Sequence, residues 1–191
     1  MLTYLILTVP HAVCDITNSN KNHTCDFLAP KSAHKINELW RQIFPDTKIF
    51  LIYGDINRKL VDLNRQQKPM PRFHQKLHNI FTKIQTSHIL LWDIHSFPYG
   101  SFGKTSSKEE PWLVILYRKK YSWIKLLIDA LQKKGYPCKA VLGDRSNYII
   151  QTAHQHYNIP SILLEFNENL SDNQLHLLVF KLINITSELM K

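Results

Sequence analysis

Short apolar segments alternate with amphipathic segments along the chain. The apolar segments are short and rich in β-branched and aromatic side chains, as buried strands are, and they comprise residues 2–9, 48–53, 89–93, 113–117, 139–142 and 161–166. The segments between them place apolar residues at helical spacing, and they comprise residues 32–44, 72–85, 122–134, 146–157 and 171–190. Ser171 is the predicted N-cap of the last helix. Strands that alternate with helices predict an α/β fold with a largely parallel sheet.

The composition is typical of one globular domain that spans residues 1–191. The chain is 44% hydrophobic and 20% charged, which excludes a disordered or collagen-like protein. Residues 97–110 contain two of the five glycines and many polar residues. We therefore predict a mobile loop there.

The net charge and the cysteine content indicate the kind of partner and the cellular compartment. The formal net charge of +9 favours an anionic partner, which includes an acidic substrate, nucleic acid or a membrane surface. The odd count of three cysteines favours a reducing compartment. The first nine residues are too short for a signal sequence, and no run approaches the ~20 apolar residues of a membrane span. We therefore expect a cytoplasmic protein without membrane association.

Chemically active side chains cluster where the predicted strands end. His11 follows the first strand, His95 follows the third, and Glu165 lies in the sixth. Ligands of α/β proteins collect at the carboxyl ends of the strands. A catalytic zinc site has three protein ligands and an open position for water, and a further carboxylate can act as general base. The pattern therefore predicts a metal site at this edge of the sheet, and the alternative is that these histidines are hydrogen-bonded structural residues.

A series of short motifs in a fixed order supports the same prediction. The motifs are Val9-Pro10-His11-Ala12, Asp26, Arg58 with Val61-Asp62-Leu63-Asn64-Arg65, Asp93-Ile94-His95-Ser96 and Leu164-Glu165-Phe166-Asn167. This series resembles that of the N-formylglutamate amidohydrolase family, which is related to the zinc carboxypeptidases. The resemblance implies a three-layer α/β/α sandwich with a mixed, largely parallel central sheet. It also implies zinc-dependent hydrolysis of an amide bond.

Carried over by the resemblance, His11, Asp26 and His95 hold one Zn²⁺ per chain. Glu165 matches the glutamate that promotes attack by water. Asp15 and Cys14 are alternatives to Asp26 as the third ligand.

A structural zinc site offers another arrangement. It is composed of residues close together in the sequence, namely His11, Cys14, His23 and Cys25.

The substrate-binding candidates are mostly basic and polar. Arg58, Asn64 and Arg65 would hold an acidic substrate, because a guanidinium binds a carboxylate through two parallel hydrogen bonds. One of the two arginines, with Arg58 as the candidate, would polarise the scissile carbonyl. Arg145 and Tyr148 match a substrate-facing segment of the family. The expected substrate is a small acidic or peptide amide, such as an N-acyl amino acid or a γ-glutamyl compound.

Neighbouring residues have supporting or structural interpretations. Asp93 and Ser96 flank His95 and are candidates for fixing its ring, and Glu168 is the alternative to Glu165. The remaining histidines are predicted to be surface or boundary residues, and they are His34, His74, His78, His88, His154, His156 and His176.

Two other functions fit parts of the sequence. A catalytically inactive relative would keep the fold and act as an interaction module. A nucleic-acid-binding protein would use basic and aromatic residues in one region, namely Trp112, Tyr117, Tyr121 and Trp123 beside Arg118, Lys119 and Lys120.

Overall fold

The computed structural model describes residues 2–13, 25–84, 88–98, 100–103, 109–118, 121–143 and 147–189. Within these residues strands and helices alternate, as the hydrophobic pattern predicts. The strands are β1 (Tyr4–Val9), β2 (Lys48–Tyr53), β3 (Ile89–Phe97), β4 (Leu113–Tyr117), β5 (Cys138–Leu142) and β6 (Ser161–Asn167). The helices are α1 (Ala29–Ile43), α2 (Arg72–Lys83), α3 (Ser122–Lys133), α4 (Tyr148–Tyr157) and α5 (Asp172–Leu189).

The strands form one mixed sheet in the order β2-β1-β3-β6-β4-β5. The pairs of β1 with β2, β1 with β3, and β3 with β6 are parallel. β4 pairs with β6 in the antiparallel sense and with β5 in the parallel sense. β4 and β5 therefore run against the other four strands, and the prediction of a mixed, largely parallel sheet is confirmed.

Helices cover both faces of the sheet. Successive strand residues point to opposite faces, so Leu90 and Trp92 pack in one apolar cluster and Leu91 in another. The first cluster includes residues of α1, α3 and α5, and the second includes residues of α2 and α4. The predicted three-layer α/β/α sandwich is confirmed.

The main difference from the predicted elements is the length of β3. The pattern ended this strand at residue 93, whereas it continues to Phe97, and all nine of its residues are buried. The polar residues Asp93, His95 and Ser96 interrupted the apolar pattern, but each has a hydrogen-bond partner. His95 therefore lies within a central strand.

Local hydrogen bonds define two other segments. The Ser171 hydroxyl accepts from the backbone N–H of Gln174, and the Gln174 side chain accepts from the N–H of Ser171. This reciprocal pair is a capping box, and it confirms Ser171 as the N-cap of α5. Residues 58–60 form a turn, after which the N–H groups of Leu60 and Val61 donate to the Asn57 carbonyl.

The cysteines differ from the reduced state that their number predicted. Cys25 is disulfide-bonded, whereas Cys138 is a buried free thiol. A cysteine count carries no information on which thiols meet in space. Cytoplasmic location stays a prediction. Among the described residues, no helix combines the length and apolar character needed to cross a bilayer.

Candidate active site

The carboxyl ends of β1, β3 and β6 bring the predicted site residues together. His11 lies two residues beyond β1, and its carbonyl accepts a hydrogen bond of 3.3 Å from the N–H of Asp26, just before α1. His95 and Glu165 are register partners in the parallel pair of β3 and β6. Register partners in a parallel pair point to the same face of a sheet. The fold therefore gathers His11, Asp26, His95 and Glu165 at one edge.

His95 is clamped between two buried carboxylates. Its Nδ1 donates to Oδ2 of Asp26 at 2.7 Å, and its Nε2 donates to Oδ2 of Asp93 at 3.0 Å. Burial alone would lower the pKa of His95, but the charges and hydrogen bonds of the two carboxylates raise it well above its usual value. For the carboxyl group of Asp26 the effects are reversed. Burial tends to raise its pKa, but His95, His11 and Arg58 hold that pKa below its usual value.

His11 is fully buried beside this clamp. Its ring lies 5.4 Å from the ring of His95, between centroids. Its Nδ1 and Nε2 have no hydrogen-bond partner among the described residues, although Nε2 lies 3.4 Å from Oδ1 of Asp62. Burial, the positive charge of His95 and the charge of Arg58 lower the pKa of His11 to about 4. His11 is therefore a neutral imidazole with a free lone pair, which is the form that binds metals.

Glu165 is a carboxyl group with a raised pKa beside the histidine cluster. It is partly buried on the same sheet face as His95. Burial, together with the negative charges of Asp26 and Asp93, raises its pKa to about 7 against the opposing effect of His95 and Arg58. A carboxyl group with a pKa near neutrality can both accept and return a proton.

Asp93 is held by three hydrogen bonds. Its Oδ1 accepts from the Thr8 hydroxyl at 2.6 Å. Its Oδ2 accepts from His95 and, at 3.1 Å, from the side-chain amide of Asn147. Asp93 therefore fixes the His95 ring, in agreement with its predicted supporting role.

Ser96 and Glu168 contact a different segment. The Glu168 carboxylate accepts from the N–H of Phe27 at 3.2 Å and from the Ser96 hydroxyl at 2.9 Å. The Ser96 hydroxyl accepts from the N–H of Leu28 at 3.1 Å. These bonds anchor the backbone directly after Asp26. The prediction that Ser96 contacts His95 is wrong because adjacent strand residues point to opposite faces.

Asp62 organises the turn that carries the basic candidates. Its Oδ2 lies 3.9 Å from Nη2 of Arg58 and 3.7 Å from Nε of Arg65, and its Oδ1 accepts from the N–H of Asn64 at 3.0 Å. Nη1 of Arg58 lies 3.9 Å from Oδ1 of Asp26. The turn thereby joins the two arginines to the histidine cluster.

A cavity of about 190 Å³ lies beside this turn. The turn supplies Arg58, Asp62, Asn64 and Arg65 to its lining. The remaining lining residues come from β4, β6, the end of β5 and the start of α4, and they are Leu116, Tyr117, Arg118, Gly143, Asn147, Ile150 and Leu163. The structure therefore brings together three of the predicted substrate-binding and catalytic residues, namely Arg58, Asn64 and Arg65.

Tyr148 lies in a second cavity. Its hydroxyl is 3.1 Å from Nε2 of His78, and it lines this cavity together with Arg65 and His156. Arg65 lines both cavities. Arg145 lies outside the described residues, so its role in substrate binding stays a prediction.

The donor set fits zinc by its chemistry, while its present geometry is not that of a coordination site. Two imidazoles and a carboxylate are zinc ligands. A metal ion bound to one ring nitrogen of His11 would give that nitrogen the partner that it lacks among the described residues. However, Asp26 and His95 are hydrogen-bonded to each other. In the described part of the chain, no group of three or more His, Cys, Asp and Glu side chains is arranged to hold a metal ion.

The alternative ligands receive no support from the described residues. Cys14, Asp15 and His23 lie outside them. Cys25 is disulfide-bonded, and a disulfide sulfur is not the thiolate that binds zinc.

Two predictions about residues outside the cluster can be compared with the structure. His74 was predicted at the surface or boundary, but it is 1% exposed, and its Nε2 donates to the Leu63 carbonyl at 2.8 Å. It was misplaced because that backbone partner lies in a turn that helical spacing does not reveal.

The aromatic residues of the nucleic-acid alternative, Trp112, Tyr117, Tyr121 and Trp123, are partly buried against the apolar core. Lys119 and Lys120 lie outside the described residues.

Sequence reasoning missed three residues that help to form the site and its cavity. Asn147 caps α4 by accepting from the N–H of Ile150, and an Asn before an apolar helical run is a signal for this. Gly54 donates its N–H to the Val9 carbonyl at 2.8 Å, and a glycine directly after a strand indicates close backbone approach. Arg118 was assigned to the nucleic-acid-binding alternative, and only the strand order brings it to the cavity.

Comparisons with known proteins establish the fold. No protein-family model matches the sequence, and no curated protein matches it. Among solved structures, the gene product Atu2144 from Agrobacterium tumefaciens is similar with a TM-score of 0.69 and 14% identity, over 99% of this chain and 92% of that chain.

Two structures with assigned activities are also similar. An N-formylglutamate amidohydrolase from Ralstonia eutropha JMP134 has a TM-score of 0.57 at 14% identity, over 99% of this chain and 93% of its own. The catalytic domain of CwlV, an N-acetylmuramoyl-L-alanine amidase from Bacillus (Paenibacillus) polymyxa, has a TM-score of 0.56 at 14% identity, over 99% and 98%. The resemblance read from the motifs is confirmed at the level of the fold, which this chain shares with amide hydrolases.

Proposed function

We propose that this protein is a zinc-dependent amidohydrolase that cleaves an amide bond in a small substrate bearing a carboxylate. The observation that carries the proposal is the convergence of four side chains at the carboxyl ends of three strands. They are Asp26, His95, Glu165 and the neutral His11, whose ring nitrogens have no hydrogen-bond partner among the described residues. The fold shared with amide hydrolases adds to this support.

The residues that would hold Zn²⁺ are His11, Asp26 and His95. When bound, the ion would polarise the substrate carbonyl and acidify a water molecule. Zinc binding requires His95 to give up the proton on Nδ1, because only a neutral imidazole is a ligand. Asp93 would keep the ring oriented from the Nε2 side.

Glu165 carries the proton transfers. Its carboxylate takes a proton from the attacking water as the new C–O bond forms at the carbonyl carbon. It then delivers this proton to the leaving nitrogen as the C–N bond breaks, so that an amide and water become a carboxylic acid and an amine. A pKa raised to about 7 suits both steps.

Arg58 and Arg65 would stabilise different negative charges of the substrate. Arg58 lies next to Asp26, and its guanidinium would stabilise the oxyanion that develops on the carbonyl oxygen. Arg65 and Asn64 line the adjoining cavity, where they would hold the substrate carboxylate.

A hydrolysis assay tests the proposal directly. Zinc-loaded protein is incubated with N-formyl, N-acetyl and γ-glutamyl amino acids, and the amine released is quantified. We expect at least one substrate to be cleaved, and Glu165→Gln to lower its kcat by about 10²–10⁴-fold. Glu188→Gln, at an exposed position on α5, is the matched control. Undiminished hydrolysis by Glu165→Gln would reject the assigned base, and no hydrolysis despite bound zinc would favour the inactive-relative alternative.

A further inference from the structure

The loop that carries Asn64 and Arg65 has no regular secondary structure. It comprises residues 54–71, between the end of β2 and the start of α2. Its shape therefore depends on individual hydrogen bonds. The N–H of Asn64 donates to Oδ1 of Asp62, and the N–H of Arg65 donates to the Asp62 carbonyl, both at 3.0 Å. These bonds are local, so they shape the turn without attaching it to the rest of the fold.

Two consecutive carbonyls attach this turn to two helices. The Leu63 carbonyl accepts from Nε2 of His74, on α2, at 2.8 Å. The Asn64 carbonyl accepts from the N–H of Tyr148, the first residue of α4, also at 2.8 Å. The backbone on both sides of Asn64 is thereby held in place, directly before Arg65.

The His74 ring is fixed by its surroundings. It is 1% exposed, and its centroid lies 4.6 Å from that of the Tyr148 ring and 5.7 Å from that of the Phe73 ring. Leu63 has no exposed surface, so water does not reach its carbonyl to replace the donor. A buried carbonyl without a donor is costly, and His74 therefore controls where this part of the turn lies.

The hydrogen bond also defines the tautomer of His74. A carbonyl oxygen only accepts, so the proton of the ring lies on Nε2. Burial lowers the pKa of His74, against the opposing effect of the bond to Leu63, so the ring is neutral and has a single N–H. Its Nδ1 is buried and has no hydrogen-bond partner among the described residues. The one donor of this ring therefore holds the turn.

We propose that His74 is a positioning residue, which acts through the Leu63 carbonyl to fix the backbone that presents Asn64 and Arg65 to the cavity. This inference rests on the proposed function for the part that these two residues play in substrate binding. His74 is not among the described residues that line the cavity, so its effect on the substrate is indirect. An error of about 1 Å in the place of a substrate-holding group can cost about 100-fold in rate.

The kinetic test compares two substitutions of His74. His74→Leu removes the donor and keeps an apolar side chain in the buried site, whereas the amide N–H of His74→Gln can take the place of Nε2–H. The substrate is one that the wild type cleaves among the N-formyl, N-acetyl and γ-glutamyl amino acids. We expect His74→Leu to raise KM about tenfold with kcat nearly unchanged, since ground-state and transition-state binding are weakened alike. His74→Gln should restore most of the affinity.

A matched control isolates the local effect. His176→Leu removes a histidine from an exposed position on α5, so its KM should equal that of the wild type. Circular dichroism checks that each variant is folded. A wild-type KM in His74→Leu, or the same KM in His74→Leu and His74→Gln, would overturn the inference.

Amide hydrogen exchange separates this inference from the proposed function, because it needs no hydrolysis. The N–H groups of Asn64 and Arg65 report on the turn, and that of Leu77, on the buried face of α2, reports on opening of the whole fold. We expect His74→Leu to speed exchange in the turn about tenfold relative to Leu77, and His74→Gln to reverse this. That result would support the positioning role even if no amide is hydrolysed.

The opposite results are equally clear. Equal acceleration at all three amides would show that His74 only stabilises the fold, and acceleration at none would show that it does not hold the turn. Either would overturn the inference even if the protein proves to be a hydrolase. If His74→Leu does not fold, long-range proton–nitrogen correlation NMR of the wild type identifies the protonated ring nitrogen of His74. A proton on Nε2 would support the inference, and a proton on Nδ1 would overturn it.

Discussion

Asp93 is the residue on which the orientation of His95 depends. It is fully buried, and its two oxygens accept from Thr8, His95 and Asn147. Strand β1, strand β3 and the start of α4 therefore all contribute to one carboxylate. A metal-ligating histidine is usually oriented by such a partner on its second nitrogen, which also raises its basicity.

We predict that Asp93→Asn weakens zinc binding by about 10–100-fold, the usual effect of losing such a partner. The amide cannot stabilise the imidazole as a carboxylate does. Affinity is measured by competition with a chromophoric chelator. Asp129→Asn, which alters an exposed ion pair on α3, is the control and should bind zinc like the wild type. Equal zinc affinity in Asp93→Asn and the wild type would contradict the supporting role.

Site residues were predictable from the sequence where a side chain able to bind a metal or transfer a proton stands near the end of an apolar run. His11, His95 and Glu165 stand at or near the ends of apolar runs, and the structure brings all three together. Asp62 belongs to the same motif as Arg65, and it contacts both Arg58 and Arg65. Arg118 was not predictable as a cavity residue, because its place depends on the reversed direction of β4, which no local pattern encodes.

At the scale of elements, the junction of β1 and β2 positions His11. Gly54 follows β2, and a Cβ atom there would lie 2.0 Å from the carbonyl oxygen of Pro10 and 2.7 Å from its carbonyl carbon. Pro10 directly precedes His11. The close approach of the two strand ends therefore requires glycine at this position.

We predict that Gly54→Ala destabilises the protein by about 1–3 kcal/mol, the usual cost of forcing extra atoms into a packed site. Because the backbone of Pro10 would have to move, zinc affinity should fall as well. Urea denaturation measures the stability change. Gly143→Ala is the control, since a Cβ there would meet its nearest atom, on Leu116, at an ordinary 3.4 Å. Equal stability of the two variants would show that the junction tolerates a side chain.

The bounds of the strands followed the hydrophobic pattern except where polar side chains of the site interrupt that pattern. β2 and β4 have the predicted bounds, because both are uninterrupted apolar runs. β3 was predicted four residues short, since Asp93 and His95 break its apolar pattern. The prediction failed where a central strand carries the polar side chains of the site.

The class of the whole molecule was predictable, but its strand order was not. Alternating strands and helices predicted the α/β class, and the family resemblance supplied the three layers. The order β2-β1-β3-β6-β4-β5 and the reversal of β4 and β5 depend on long-range pairing. This order brings residues as distant in sequence as Arg58 and Arg118 to one cavity.

Metal binding should stabilise the whole fold, because the proposed ligands come from separate segments. We predict that zinc at a free concentration 100 times its Kd raises the free energy of unfolding by about 2.7 kcal/mol. For a chain of this size that gain raises Tm by about 5–10 °C. Differential scanning calorimetry of chelator-treated protein, with and without zinc, measures the shift, and Mg²⁺ is the control ion. An unchanged Tm would contradict zinc binding to the native state.

The most direct test of the account is an anomalous-difference map from crystals of zinc-loaded protein, with data collected on both sides of the zinc absorption edge. The account predicts one strong peak per chain, within coordinating distance of His11, Asp26 and His95 and facing Glu165. A map with no peak at these three side chains, in a chain with this fold, would contradict it.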